Sequence, residues 1–233
     1  MRDETGFLSY DFQLTLQRLL ADGLQVQGDT ELLCSHHTVL NPRNRLLTIP
    51  GLRLDLPVLL DEALLGVSRV FDDSHERALI QLAQHPRARA IRTSLPGFDL
   101  PLHWLIRQNR LHLFCGTEAA DVLHDLQRLV FVGSMVQEAM QTRLRAILPN
   151  LELGFLRLSI DCLYLRAGDS ALATSIAELE RIHDVQMVPM SDVRAADWRL
   201  VQAGEPPEYW RTLIAALRDD DSAALHALFG ETE

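Results

Sequence analysis

The sequence predicts an α+β fold in which a large mixed sheet packs on a long buried helix, with a helical extension at the C-terminal end. Three observations predict it. Strand-like apolar runs recur, above all in "HWLIRQNRLHLF" (103–114) and "LELGFLRLSIDCLYLR" (151–166). The stretch from Glu118 to about Leu148 contains no proline and is apolar nearly all round a helix, the mark of a buried helix. After residue 168 the pattern changes to short helical stretches with polar breaks and acidic caps, so residues 1–168 read as the body and 169–233 as a helical extension.

Taken in order, "YDFQLTLQRLL" (10–20) places Phe12, Leu16, Leu19 and Leu20 at helical spacing, and Gly23 stands where a helix is released. "ELLCSHHTVL" and "RLLTIPGLRLDL" read as extended segments around an "NPRN" turn. "PVLLDEALLGV" (57–67) resumes helical spacing, with Pro57 suited to a first turn. "SHERALIQLAQHP" is a further helix, with Ser74 as its N-cap and Pro86 as its stop. "ARAIRTSL" is extended. Gln108-Asn109 then forms the turn of a hairpin, the long helix follows, and residues 151–166 make a long strand or strand pair. The helical stretches after residue 168 open with "ALATSIAELERIHDV".

With 233 residues, 47% of them hydrophobic and 23% charged, the chain can bury a sizeable core as one large domain or one domain with a small appendage. A formal charge of −10 leaves no basic field for a polyphosphate backbone, so nucleic acid is excluded as a partner of the surface as a whole. A local cationic pocket for one phosphate remains compatible with it. The three cysteines form no CxxC pair, "MRDETGFLSYD" is acidic and polar, and no apolar run approaches the ~18 residues of a membrane span. The expectation is a soluble protein of the reducing cytoplasm with free thiols and no membrane contact.

No motif announces a reaction. Cys34, His36 and His37 in "CSHH" alternate across a strand and lack a second ligand pair, so no metal site is expected there. HExxH is absent, and Gly133-Ser134 lies inside a helix rather than in a nucleophile elbow. The acidic runs at Asp72-Asp73 and Asp219 to Asp221 read as solvated loops or caps. Arg43 and Arg45 flank a turn, and Arg87, Arg89 and Arg92 follow Pro86; the two clusters could converge on an anion or pair with surplus acids.

The order of segments carries more. "VLNPRNRLLTIPGLRL", "LLDEALLGVS", "HPRARAI", "HWLIRQNRLHLF", "ADVLHDLQRLVFVGSMVQEAM" and "LELGFLRLSIDCLYL" follow one another as the landmarks of the thymidylate synthase family do, its pyrimidine hydroxymethylase relatives included. Residues 10 to 166 thus resemble that family. The resemblance implies that Arg43 or Arg45 lies near a nucleotide phosphate, and that Arg89 matches the first arginine of the family's "SRR" segment, which reaches the partner subunit's phosphate. It implies that Glu62 manages protons and ordered water, although Leu65 stands where the family has tryptophan. Asp121 matches the aspartate of "RSxDV", and Tyr164 the sugar-contacting tyrosine of "HLY". It also implies a homodimer joined through the large sheet, and a reduced folate as cofactor if one-carbon transfer is retained.

The departures from the family pattern are at the chemistry. Counted without gaps, Phe98 stands where the family has its nucleophilic cysteine; with a shift, Leu102-His103 after Pro101 offers no thiol either. Glu118 and Ala119 replace the arginine and serine of "QRS", Leu129 the asparagine that reads the pyrimidine, and Cys162 the histidine before the tyrosine. The reaction needs a thiolate to add to C6 of the pyrimidine and so make C5 nucleophilic. Three expectations follow: a member of this group that has lost the standard methylation and either has no catalytic role or reuses its cleft for another ligand; an active one-carbon transferase or other enzyme on a pyrimidine nucleotide or related substrate, using Glu62 as acid or base and Cys115 as a repositioned nucleophile near a helix N-terminus; or a structural dimerisation subunit.

Overall fold

A computed structural model describes residues 8–41, 44–49, 51–52, 55–70, 73–88, 91–95, 100–180 and 182–186, with isolated positions at 208, 211, 212 and 215. Arg43, Arg89 and Phe98 lie outside the described residues, as do the side chains of Arg45, Cys34, His36 and His37. So do nearly all of the helical stretches expected beyond residue 186.

The first helix, α1 (Leu8–Asp22), buries Leu8, Phe12, Leu16 and Leu19, the stripe that its spacing demands. Gly23 ends it through an N–H bond to the Leu19 carbonyl at 3.0 Å. A Cβ at Gly23 would stand 2.4 Å from that oxygen and 2.5 Å from Thr30 Cγ2, so the chain leaves the helix where only glycine fits. A short edge strand β1 (Leu24–Val26) turns through Gln27 and Gly28 into β2 (Asp29–Leu40). All three β1 residues are exposed, which leaves no alternation to announce it. Then come β3 (Asn44–Thr48), α2 (Leu56–Val70), α3 (Asp73–Gln84), β4 (Ile91–Leu95), β5 (Leu100–Arg107) and β6 (Arg110–Asp121). The α3 helix starts at Asp73, one residue before the expected cap at Ser74. Next are α4 (Asp125–Arg145), β7 (Glu152–Leu165), a 3-10 turn (Ala167–Asp169), α5 (Ser170–Ala177) and β8 (His183–Gln186).

These elements make an α+β fold. Its six-stranded sheet runs β1-β2-β7-β6-β5-β4, with the β6–β7 pair parallel and the others antiparallel. The β5–β6 hairpin turns at Gln108 (φ 51°) and Asn109 (φ 61°), the two positive values that a tight two-residue turn with the sheet's twist requires. Register sets the two faces. Leu102 opposes Cys115, which opposes Leu158, which opposes Thr38; Trp104, Leu113, Leu156 and Leu40 form the neighbouring row. Both rows are buried, and Cys115 and Leu156 meet α4 at Gly133. On the opposite face Arg92, Ser94, Pro101 and Asp161 are exposed, while His103, Leu105, Phe114, Arg157 and Ser159 are half-buried.

The central helix α4 is buried over most of its length, including Gln127, Gln137 and Gln141. Their amides donate to backbone carbonyls of neighbouring elements: Gln137 Nε2 to Leu111 (2.7 Å) and Phe155 (3.2 Å), Gln141 Nε2 to Leu151 (2.9 Å), and Gln127 Nε2 to Leu47 (3.4 Å). Gly66 brings α2 so close that its Cβ would stand 3.1 Å from Val136 and 3.3 Å from Val132.

Two expectations are corrected. The long helix begins at Asp125 rather than Glu118, because residues 118–121 continue β6 and Ala119, Ala120 and Asp121 pair with Cys162, Leu163 and Tyr164. Alanine is the strongest helix former, but intrinsic propensity is a weak guide, and tertiary pairing overrides it here. The expected helix over 171–185 is also divided: α5 ends at Ala177, and His183–Gln186 forms β8, antiparallel to β3. The Nε2 groups of Gln13 and Gln17 on α1 donate to the carbonyls of Leu179 (2.6 Å) and Ala177 (3.0 Å), binding α5 to the body.

Candidate functional site

A polar cluster forms where β6 and β7 end and α4 begins. Its centre is Asp121, the last residue of β6 and fully buried. Its Oδ1 accepts the N–H groups of Leu123 (2.9 Å) and His124 (3.0 Å), which bends the chain from strand into helix and satisfies donors at the helix start. Its Oδ2 lies 3.2 Å from Arg166 Nε, just beyond β7, without the alignment of a hydrogen bond. Asp125 closes the turn, its Oδ2 accepting the Asp121 N–H at 3.0 Å, and it stands in the first turn of α4, where the helix dipole favours a carboxylate.

One helical turn further, Arg128 connects this centre to α2. Its Nε donates to Glu62 Oε2 at 2.5 Å, and its Nη1 lies 3.9 Å from Asp125 Oδ1. On the β7 side, desolvation pushes the Tyr164 phenol above its usual range, with the negative charge of Asp125 next in effect; a hydrogen bond with Arg166 opposes both. The charge of Asp121 raises the Arg166 guanidinium in turn, with the Tyr164 hydrogen bond adding to it. His124 completes the cluster, with Nε2 3.4 Å from Asp169 Oδ2 in the 3-10 turn.

Glu62, Asp121 and Tyr164, named from the sequence by resemblance, therefore come from α2, β6 and β7 into one chain of polar contacts. Cys115 does not join it. The thiol is buried in mid-strand, 3.5 Å from where a Cβ on Gly133 would stand, so it packs on the middle of α4 and not on a helix N-terminus. Burial drives its pKa far upward, opposite to an activated nucleophile. The expectation of Cys115 as a repositioned nucleophile is corrected accordingly. Glu118 is exposed on β6 and lines a separate groove of about 560 Å³ with Ser94, Pro101, Thr117, Ser159 and Asp161. Leu129, at the pyrimidine-reading position, is 7% exposed.

Sequence reading missed Arg128, Asp125, His124, Arg166 and Asp169. Asp121, Asp125 and Arg128 stand at i, i+4 and i+7, and a correct helix start would have drawn attention to them. Arg166 and Asp169 carry no local signal, since only the parallel pairing of β6 with β7 brings them to Asp121. No family model matches the chain, and no curated protein matches it with significant similarity.

Proposed function

We propose that the chain is a diverged thymidylate-synthase-like protein of the reducing cytoplasm that binds a small polar ligand, a pyrimidine nucleotide or a related compound, beside Asp121. In this reading it does not run the cysteine-dependent methylation of dUMP. The supporting observation is convergence: Glu62, Asp121 and Tyr164 lie far apart in sequence yet meet around Arg128 and Arg166 at the carboxyl ends of a parallel strand pair. Such a place offers directed polar groups beside an apolar core, the usual composition of a ligand site. Loss of the standard reaction is supported by Cys115, whose thiol faces the core and is held protonated by burial.

The test has two readouts. Addition of a thiolate at C6 would labilise the C5 hydrogen of dUMP, so no exchange of that hydrogen is expected, with or without reduced folate. A ligand present at about 100 times its Kd stabilises the folded state by about 2.7 kcal/mol, enough to raise the melting temperature measurably. At least one pyrimidine nucleotide should do so, and Tyr164→Phe or Arg166→Gln should reduce the shift. No shift with any pyrimidine nucleotide at millimolar concentration would sink the ligand reading; C5 exchange would sink the claim of lost chemistry.

A second reading concerns assembly and is compatible with the first. We propose a homodimer joined through the large sheet. The supporting observation is one-sided packing: Cys115 and Leu156 face α4, while on the opposite face Arg92, Ser94, Pro101 and Asp161 are exposed and His103, Leu105, Phe114, Arg157 and Ser159 are half-buried.

A further inference from the structure

We propose that Asp121, His124 and Asp169 form a site for one first-row divalent metal ion, with zinc the reference occupant. This goes beyond the ligand reading and does not depend on it. One ligand atom from each residue lies within 4.8 Å of the other two, and His124 Nε2 stands 3.4 Å from Asp169 Oδ2. Ligands about 2.1 Å from a tetrahedral ion are themselves about 3.4 Å apart, so the histidine–aspartate edge already has the required length. With every pair within 4.8 Å, no separation has to shorten by more than about 1.4 Å to meet that edge. His124 and Asp169 can supply the movement, their side chains being 41% and 28% exposed.

Asp121 supplies the fixed point. It is fully buried, two backbone N–H groups hold its Oδ1, and its Oδ2 carries no hydrogen bond. A ligating carboxylate is oriented by that kind of outer support. The His124 side chain makes no capping bond at the start of α4 and is turned instead to Asp169. One imidazole with two carboxylates is a mixed nitrogen–oxygen set suited to zinc or manganese, and three protein ligands leave a position open for water or a bound ligand's oxygen.

Arg166 is the competitor. Its guanidinium, 3.2 Å from Asp121 Oδ2 on a side chain 55% exposed, is the cation that meets the buried oxygen, and an arriving ion displaces it toward solvent. The site therefore makes a prediction that a general attraction of acidic residues for metals does not: removing a positive charge at Arg166 tightens binding.

The full chain, stripped with a chelator and titrated with zinc and separately with manganese in a calorimeter, should take up one equivalent. His124→Ala and Asp169→Asn should each weaken zinc by more than about 100-fold, beyond the range for loss of an outer partner. Arg166→Gln should tighten it by about tenfold, as loss of a like charge at close range predicts. The triple variant Cys34→Ser, His36→Ala, His37→Ala should bind as the parent does. Matching melting temperatures of the metal-free proteins show that each variant is folded, and the two independent ligand variants guard against failure of either one. Absence of binding, indifference to both ligand substitutions, weakening in Arg166→Gln, or loss in the triple variant would each overturn the site. Because the metal is added alone, failure here is distinct from failure of the nucleotide reading.

Discussion

His112 is a buried base whose surroundings disfavour its charged form. Its Nδ1 accepts the Phe155 N–H at 3.1 Å, and its ring lies 4.1 Å from that of Phe155. Desolvation lowers its pKa below the ordinary 6.5, and the charges of Arg110 and Arg107 add to this while a backbone hydrogen bond with Arg107 opposes it. The unfolded chain therefore binds the proton more readily than the native one. The stability tied to this group is complete above about pH 6.5 and is lost as pH falls from there through the depressed native value. Urea unfolding midpoints should drop between about pH 7.5 and 5.5, and the drop should be shallower in His112→Gln. Part of the slope will remain, because burial and Arg92 lower His103 in the same direction. Gly154 is the counterpart of this fit: its Cβ would fall 2.4 Å from His112 Nδ1, so Gly154→Ala should destabilise by about 1–3 kcal/mol in the same assay.

Among the elements, α4 carries the opposite case. A Cβ on Gly133 meets Leu156 at 3.4 Å and Cys115 Sγ at 3.5 Å, ordinary contact distances. Gly133→Ala should therefore gain helix propensity without a clash, raising stability by up to about 1 kcal/mol in a thermal melt. This helix also shows what could be read in advance. Its apolar body, the stripe of α1, the Gln108-Asn109 hairpin and the length of β7 were legible because period and turn chemistry are local properties. The start of α4 was not, because "EAADVL" serves a helix as readily as a strand until β7 lies beside it. Nor was β8, four residues whose partner is β3. The site divides in the same way. Glu62, Asp121 and Tyr164 were reached through resemblance, whereas Arg128 meets Glu62 across 66 positions of sequence and Arg166 meets Asp121 through strand pairing, neither of which leaves a trace in spacing.

At the scale of the molecule the sheet is built unequally. One face is sealed by α4, and the other displays Phe114 edge-on to Phe155 at 5.6 Å with Arg157 over the Phe114 ring at 6.0 Å. A stable pair of copies buries about 800 Å² from each partner, and this face is where the proposed homodimer would find it. Sedimentation velocity should give a dimer for the parent and a monomer for Leu105→Glu, whose half-buried side chain lies on that face; a parent that sediments as a monomer would sink the assembly reading.

The β6–α4–β7 crossover sets an order of events as well as a shape. The β5–β6 hairpin closes through a two-residue turn, whereas pairing β7 parallel to β6 must close a crossover that contains the whole of α4, the slower kind of contact to make. Asp121 and Arg166 stand at the far ends of that parallel pair, so their ion pair is absent from a collapsed chain that has formed its hairpins alone. A probe attached to this contact would follow completion of the native topology rather than the earlier gathering of apolar residues.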